Sequence, residues 1–71
     1  MPNSVKLRKV LAVMRELGFS EIRGKCSHAF FVHPDGRTTV IPMHDEIRSG
    51  LLTKIIKKDI GMGAEEFYKL L

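Results

Sequence analysis

The sequence predicts an α+β domain in the order helix, three-stranded antiparallel sheet, helix, short helix. Three observations carry that prediction. The stretch Lys25–His44, KCSHAFFVHPDGRTTVIPMH, holds two runs of strand-forming residues around one turn. Apolar residues recur at helical spacing on both sides of it. Glycines and small polar residues fall where those periodic runs begin and stop.

Asn3 or Ser4 is placed to cap the first helix, because either side chain accepts a bond from an unpaired N–H of a first turn. Val5, Val10, Val13, Met14 and Leu17 form its apolar stripe, widened by Leu7 and Leu11, with Lys6, Arg8, Lys9, Arg15 and Glu16 on the wet side. Gly18 ends it as a left-handed residue. Phe19 to Arg23 is partly alternating and is expected to be the first strand, broken by Gly24. The second strand, Ala29 to His33, is rich in aromatic and β-branched residues, and the third, Thr38 to Ile41, is nearly all β-branched. Pro34-Asp35-Gly36-Arg37 joins them as a tight turn. Pro42 cannot donate to a ladder and is expected to end its strand or lie on an edge. Asp45 to Arg48 reads as a polar loop. Ser49-Gly50 precedes a second helix, Leu51 to about Asp59, with Leu51, Leu52, Ile55 and Ile56 inward and Lys54, Lys57 and Lys58 outward. After Gly61-Met62-Gly63 comes a short helix. Glu65 and Glu66 lie at its positive end, Lys69 lies near its negative end, and Phe67, Leu70 and Leu71 form its apolar face.

At 71 residues the chain is expected to be one domain, residues 1–71, with a small core and no deep pocket beside it. Hydrophobic content of 44% argues for a folded chain. No apolar run approaches the roughly 20 residues of a membrane span, and the N-terminus lacks the layout of a signal peptide. A single cysteine makes no internal disulfide, which fits a reducing cytoplasm. The net charge of +4 suggests an anionic partner, nucleic acid first; a merely soluble basic surface is the plainer account.

Several segments resemble, as a set and in order, the HicA family of mRNA interferases. They are Leu17-Gly18-Phe19; Lys25-Cys26-Ser27-His28 before Phe30-Phe31; His33-Pro34-Asp35-Gly36-Arg37; and Val40-Ile41-Pro42-Met43-His44. Ser49-Gly50-Leu51 leading into Ile55-Ile56, then Glu65-Glu66-Phe67, complete the set. The resemblance spans nearly the whole chain. It implies a double-stranded-RNA-binding-domain-like fold and the toxin half of a toxin–antitoxin pair. It also implies RNA cleavage by a histidine in a Gly-Ser-His motif, and neutralisation by a HicB-type antitoxin. The motif serine falls on Ser27 and its histidine on His28; its glycine falls on Cys26, a departure that removes backbone freedom.

Histidine suits metal-free RNA cleavage, because its ordinary pKa of about 6.5 lets it move protons near neutral pH. With the resemblance, His28 is the catalytic candidate; by position alone it is an exposed strand histidine. Ser27 and His44 are supporting candidates. Ser27 has a hydroxyl for a phosphate or for its own backbone, and His44 lies at the same hairpin end as His28. His33, at the turn end of its strand, reads as a hairpin cap or a solvated residue rather than a catalytic one. Arg23, Lys25 and Arg37 around the hairpin, and Lys54, Lys57 and Lys58 on the second helix, are candidate phosphate contacts, the lysines doubling as an ordinary solvated face. No cofactor is expected. Cys26, His28, His33 and His44 match no zinc-ligand spacing, so no metal is assigned. Phe30 and Phe31 cannot both face the core of a regular strand; one must lie on the open face, for a base or for the antitoxin. The expected partners are single-stranded or messenger RNA and the antitoxin. A catalytically silent RNA-binding module of the same fold, and a pure protein-interaction subunit, are the alternatives.

Overall fold

A computed structural model of the protein describes residues 3–22 and 27–71. The sheet is built outward from the turn the sequence marked. His33 N–H donates to the Arg37 carbonyl and Gly36 N–H to the His33 carbonyl, with Gly36 at φ 100°. A side chain rarely adopts that angle, which is why glycine stands there. From this turn β3 (His28–Val32) and β4 (Thr38–Pro42) run back antiparallel, pairing Val32 with Thr38 through to His28 with Pro42. A shorter β2 (Ser20–Ile22) lies on the other side of β3, so the order is β2-β3-β4. Strand alternation sends Ala29, Phe31, Thr39 and Ile41 into the core and leaves His28, Phe30, Thr38 and Val40 exposed. Of the two adjacent phenylalanines, Phe31 is therefore the core residue and Phe30 the outer one.

The helix α1 (Leu7–Glu16) buries Val10, Val13 and Met14. Its end is a Schellman arrangement: Phe19 N–H donates to the Met14 carbonyl, Gly18 N–H to the Arg15 carbonyl, and Gly18 sits at φ 96°. Phe19, expected within the first strand, precedes it and is buried under the helix end. The second helix starts at Ser49: α2 (Ser49–Lys54) runs on as a π-helical segment, Ile55–Ile60, that ends at left-handed Gly61. α3 (Ala64–Leu70) follows, with Gly63 at its N-cap and Phe67 fully buried. The architecture is α+β, with the helix–three strands–helix order of double-stranded-RNA-binding domains.

Two expectations fail together. Residues 4–6 are not the first turn of a capped helix, and residues 46–48 are not a loop. They pair as β1 (Ser4–Lys6) and β5 (Glu46–Arg48), with Val5 opposite Ile47. Burial decides it: Val5 and Ile47 are both in the core, and only an extended chain points each of them inward between two outward neighbours. The ribbon also replaces side-chain capping, since neither Lys6 nor Arg48 makes a side-chain cap bond. Leu7 N–H donates instead to the Asp45 carbonyl and Ser49 N–H to the Asn3 carbonyl. Ser4 Oγ donates to Glu46 across the ribbon at 2.6 Å.

Smaller corrections follow from packing. Leu51 and Leu70, both expected inward, are each 44% exposed, and Leu17 is only half-buried. Val10, Leu52 and Ile55 share one core cluster, against whose side Leu17 packs. Ile60, just beyond the expected helix end, is buried because the helical run continues through it and the four-residue spacing from Ile56 keeps it on the inward face.

Candidate functional site

The candidate site lies at the end of the hairpin away from its turn. Ser27 and His28 open β3, and both are exposed. Met43 N–H donates to the Ser27 carbonyl at 2.5 Å, which fixes the pairing there. Hydrogen-bonded and non-hydrogen-bonded pairs alternate along an antiparallel ladder, so His28 and Pro42 form a non-hydrogen-bonded pair. Proline lacks only an N–H that would have pointed away from β3, and so it closes the edge strand at no cost to the ladder. His44 is exposed and directly follows Met43, the partner of Ser27, so it emerges at the same end of the hairpin as His28. Arg23, Lys25 and Cys26 lie outside the described residues.

The middle row of the open face is apolar. Ile22, Phe30 and Val40 stand opposite one another in register across all three strands, exposed by 51%, 46% and 39%. Phe30 is two residues along β3 from His28, on the same face. Beyond Val40, at the β4 edge, an open groove of about 260 Å³ is lined by Val40, Leu51, Lys54, Ile55, Lys58 and Asp59. Lys54 and Lys58 thus meet the open face through Val40. Lys57 is exposed outside that groove.

The turn end of the hairpin is structural. His33 Nε2 donates to the Leu17 carbonyl at 3.0 Å, and its ring meets Phe19 edge-on at 5.1 Å. Its Nδ1 lies 3.1 Å from the Asp35 backbone N and 3.0 Å from the Asp35 carboxylate. His33 is the hairpin cap that its position suggested. Arg37 is committed to the fold three ways. Its Nε donates to Asp35 at 2.7 Å, its Nη1 donates to the Ile60 carbonyl at 2.6 Å, and its guanidinium lies 5.3 Å from the Phe19 ring centre. The Arg37 backbone N–H, followed by its guanidinium, holds the Asp35 carboxyl below its ordinary value. Thr39, the buried polar residue of the sheet, donates to Asp59 at 2.7 Å and pins the π-helical segment to β4.

Sequence reasoning did not find the Ile22–Phe30–Val40 row, although the signal was present. Counting outward from the turn pairs Phe30 with Val40, and alternation from buried Phe31 turns both outward. Among the described residues, no three histidine, cysteine, aspartate or glutamate side chains converge as a metal site, and no helix is long and apolar enough to cross a membrane.

No curated protein sequence matches the chain. The profile of the family described as the HicA toxin of bacterial toxin–antitoxin systems matches residues 7–62, from the first residue of α1 to just past the π-helical segment. That match takes in the hairpin, His28 and the lysine-bearing helix and covers most of the 71 residues; the chain belongs to the HicA toxin family.

Proposed function

We propose that the protein is an mRNA interferase: a metal-independent, cytoplasmic endoribonuclease that cuts RNA with His28 as a proton carrier and is neutralised by a HicB-type antitoxin. The observation that carries the reading is an exposed histidine opening β3 on the open sheet face of a toxin-family domain. In the proposed step the RNA 2′-oxygen attacks the adjacent phosphorus. A new O–P bond forms, the bond to the 5′-oxygen breaks, a base takes the 2′-proton and an acid protonates the departing oxygen. His28 fills one of these two roles, and His44, at the same hairpin end, is the candidate for the other. Lys54, Lys57 and Lys58, together with Arg23 and Lys25, supply phosphate contacts that offset developing charge, and Ser27 offers a hydroxyl to the phosphate. Arg37 can join them only by giving up part of its hold on Asp35 and Ile60.

The test is cleavage and binding of one RNA by wild type and His28→Ala, with and without chelator, both proteins checked for folding by circular dichroism. Proton transfer contributes about 10²–10⁴-fold, so cleavage should fall at least about 100-fold with binding nearly unchanged. A folded variant that cuts at the wild-type rate removes His28 from the mechanism. Chelator-abolished cutting would point to a metal, and a wild type that binds without cutting would leave a silent RNA-binding module.

A further inference from the structure

We propose that Phe30 is a stacking platform for one unpaired nucleobase of the RNA, held beside His28, with Lys54 and Lys58 taking the backbone phosphates on the β4 side. The inference rests on the reading above for the identity of the ligand.

An antiparallel sheet with one solvated face ordinarily turns polar side chains outward. Here the middle of that face is Ile22, Phe30 and Val40 in a single cross-strand row, each close to half exposed. Such a row is kept exposed when something covers it. Three side chains offer far less than the roughly 800 Å² a side of a standard protein interface, but a phenyl ring between two aliphatic neighbours matches the size of one base. The row does not end in neutral surface: Val40 also lines the groove that holds Lys54 and Lys58. An aromatic contact with cations along one side is the arrangement that binds single-stranded nucleic acid, bases on the ring and phosphates on the cations. A duplex hides the faces of its bases within its own stack, so the platform selects unpaired RNA. His28 lies two residues from Phe30 on the same strand and face, roughly 6.6 Å along the chain, beside the sugar-phosphate of the stacked nucleotide.

The experiment uses a labelled 2′-O-methyl oligoribonucleotide, which has no 2′-hydroxyl to attack and cannot be cut by the proposed chemistry. It is presented to the full chain single-stranded and as a duplex. Phe30→Leu keeps the apolar character and removes the ring, and should weaken single-strand binding by about 5- to 150-fold. Phe30→Trp should hold wild-type affinity. Because the natural chain contains no tryptophan, the emission of that variant reports the stack directly and should be quenched as the single strand saturates. Lys54→Gln and Lys58→Gln should each reduce the salt slope by about 0.7.

Wild-type affinity in Phe30→Leu, unquenched indole emission from Phe30→Trp at saturation, or a duplex bound as tightly as the single strand would each overturn the platform. So would unchanged RNA binding by a Phe30→Leu variant that no longer binds the antitoxin, which would assign the face to a protein. Quenching by the oligonucleotide in a protein that leaves ordinary RNA uncut would support the platform while defeating the ribonuclease reading. Failure of the wild type to bind either form would defeat both.

Discussion

Replacing Arg37 with alanine should cost the fold about 2–3 kcal/mol, because one side chain ties the hairpin turn to two other parts of the molecule. A hydrogen bond from a charged group contributes about 1.5–3 kcal/mol, which sets the scale for the 2.6 Å bond to the part-buried Ile60 carbonyl. The partner carbonyl loses its donor as well. The pair with Asp35 is exposed to solvent, which screens it, and it adds little. The guanidinium over Phe19 adds about 0.5–1 kcal/mol. These contacts share one side chain and do not sum, so the total lies near the upper end of the largest. Urea denaturation should show a lower midpoint with an unchanged slope, and for a chain of 71 residues each kilocalorie lowers the melting temperature by about 4–8 °C. Arg37→Lys keeps the charge but cannot span Asp35 and Ile60 with one planar fork, so it should recover less than half of the loss. RNA binding, measured where each variant is folded, should keep its salt slope. A destabilisation below about 0.5 kcal/mol, or a salt slope lowered by about 0.7 in a stable Arg37→Ala protein, would mean that Arg37 serves phosphate rather than the fold.

Ile56→Ala removes a fully buried side chain from the cluster that joins the π-helical segment to the sheet, and should cost about 2–5 kcal/mol by chemical denaturation. Gly18→Ala should cost at least about 1–2 kcal/mol, since φ is 96° and a Cβ there would stand 3.0 Å from His33 Nε2; a neutral outcome in the same assay would contradict the close approach. Asp35 has a folded-state pKa held below its ordinary 3.8, so its contribution is complete above that value and fades as pH falls from there through the lower folded value. Stability measured against pH should therefore decline less steeply below pH 3.8 in Asp35→Asn than in wild type.

The hairpin was legible because its signals are local. Asp35-Gly36 sets a turn, β-branched residues flank it, and Pro42 stops it, all within one continuous stretch. The first helix was legible from Val10 onward for the same reason. What was hidden is the ribbon of β1 and β5, whose evidence lies about 40 residues apart in the chain. Val5 has only Arg8 and Lys9 three and four residues on, so it never belonged to the helical stripe, and Ile47 between Glu46 and Arg48 is a one-residue alternation too short to read alone. Each becomes a strand only through the other. Leu51 and Leu70 were misplaced because periodicity says which residues share a helix face but not how wide the covering surface is. At the site, His28 stood out only through the family motif around it, whereas the facing of Phe30 follows from register. The lysines gave no sign of which of them would reach the sheet, since that depends on where the helix crosses the β4 edge.

The ribbon also sets an order of events when the chain folds. β1 and its partner β5 lie about 40 residues apart in the chain, so they meet only after a loop of that length has closed. Until then Val5 has no strand to pair with, and neither helix start has the carbonyl that completes its first turn. The β3–β4 hairpin, closed by a short turn, can form within microseconds, whereas the ribbon must first close a loop of about 40 residues. A refolding chain should therefore form its hairpin before its helices are anchored, and acquire the full fold in one late cooperative step when Ile47 docks against Val5. A chain assembled this way presents its sheet face early but holds it rigid only when the ribbon closes.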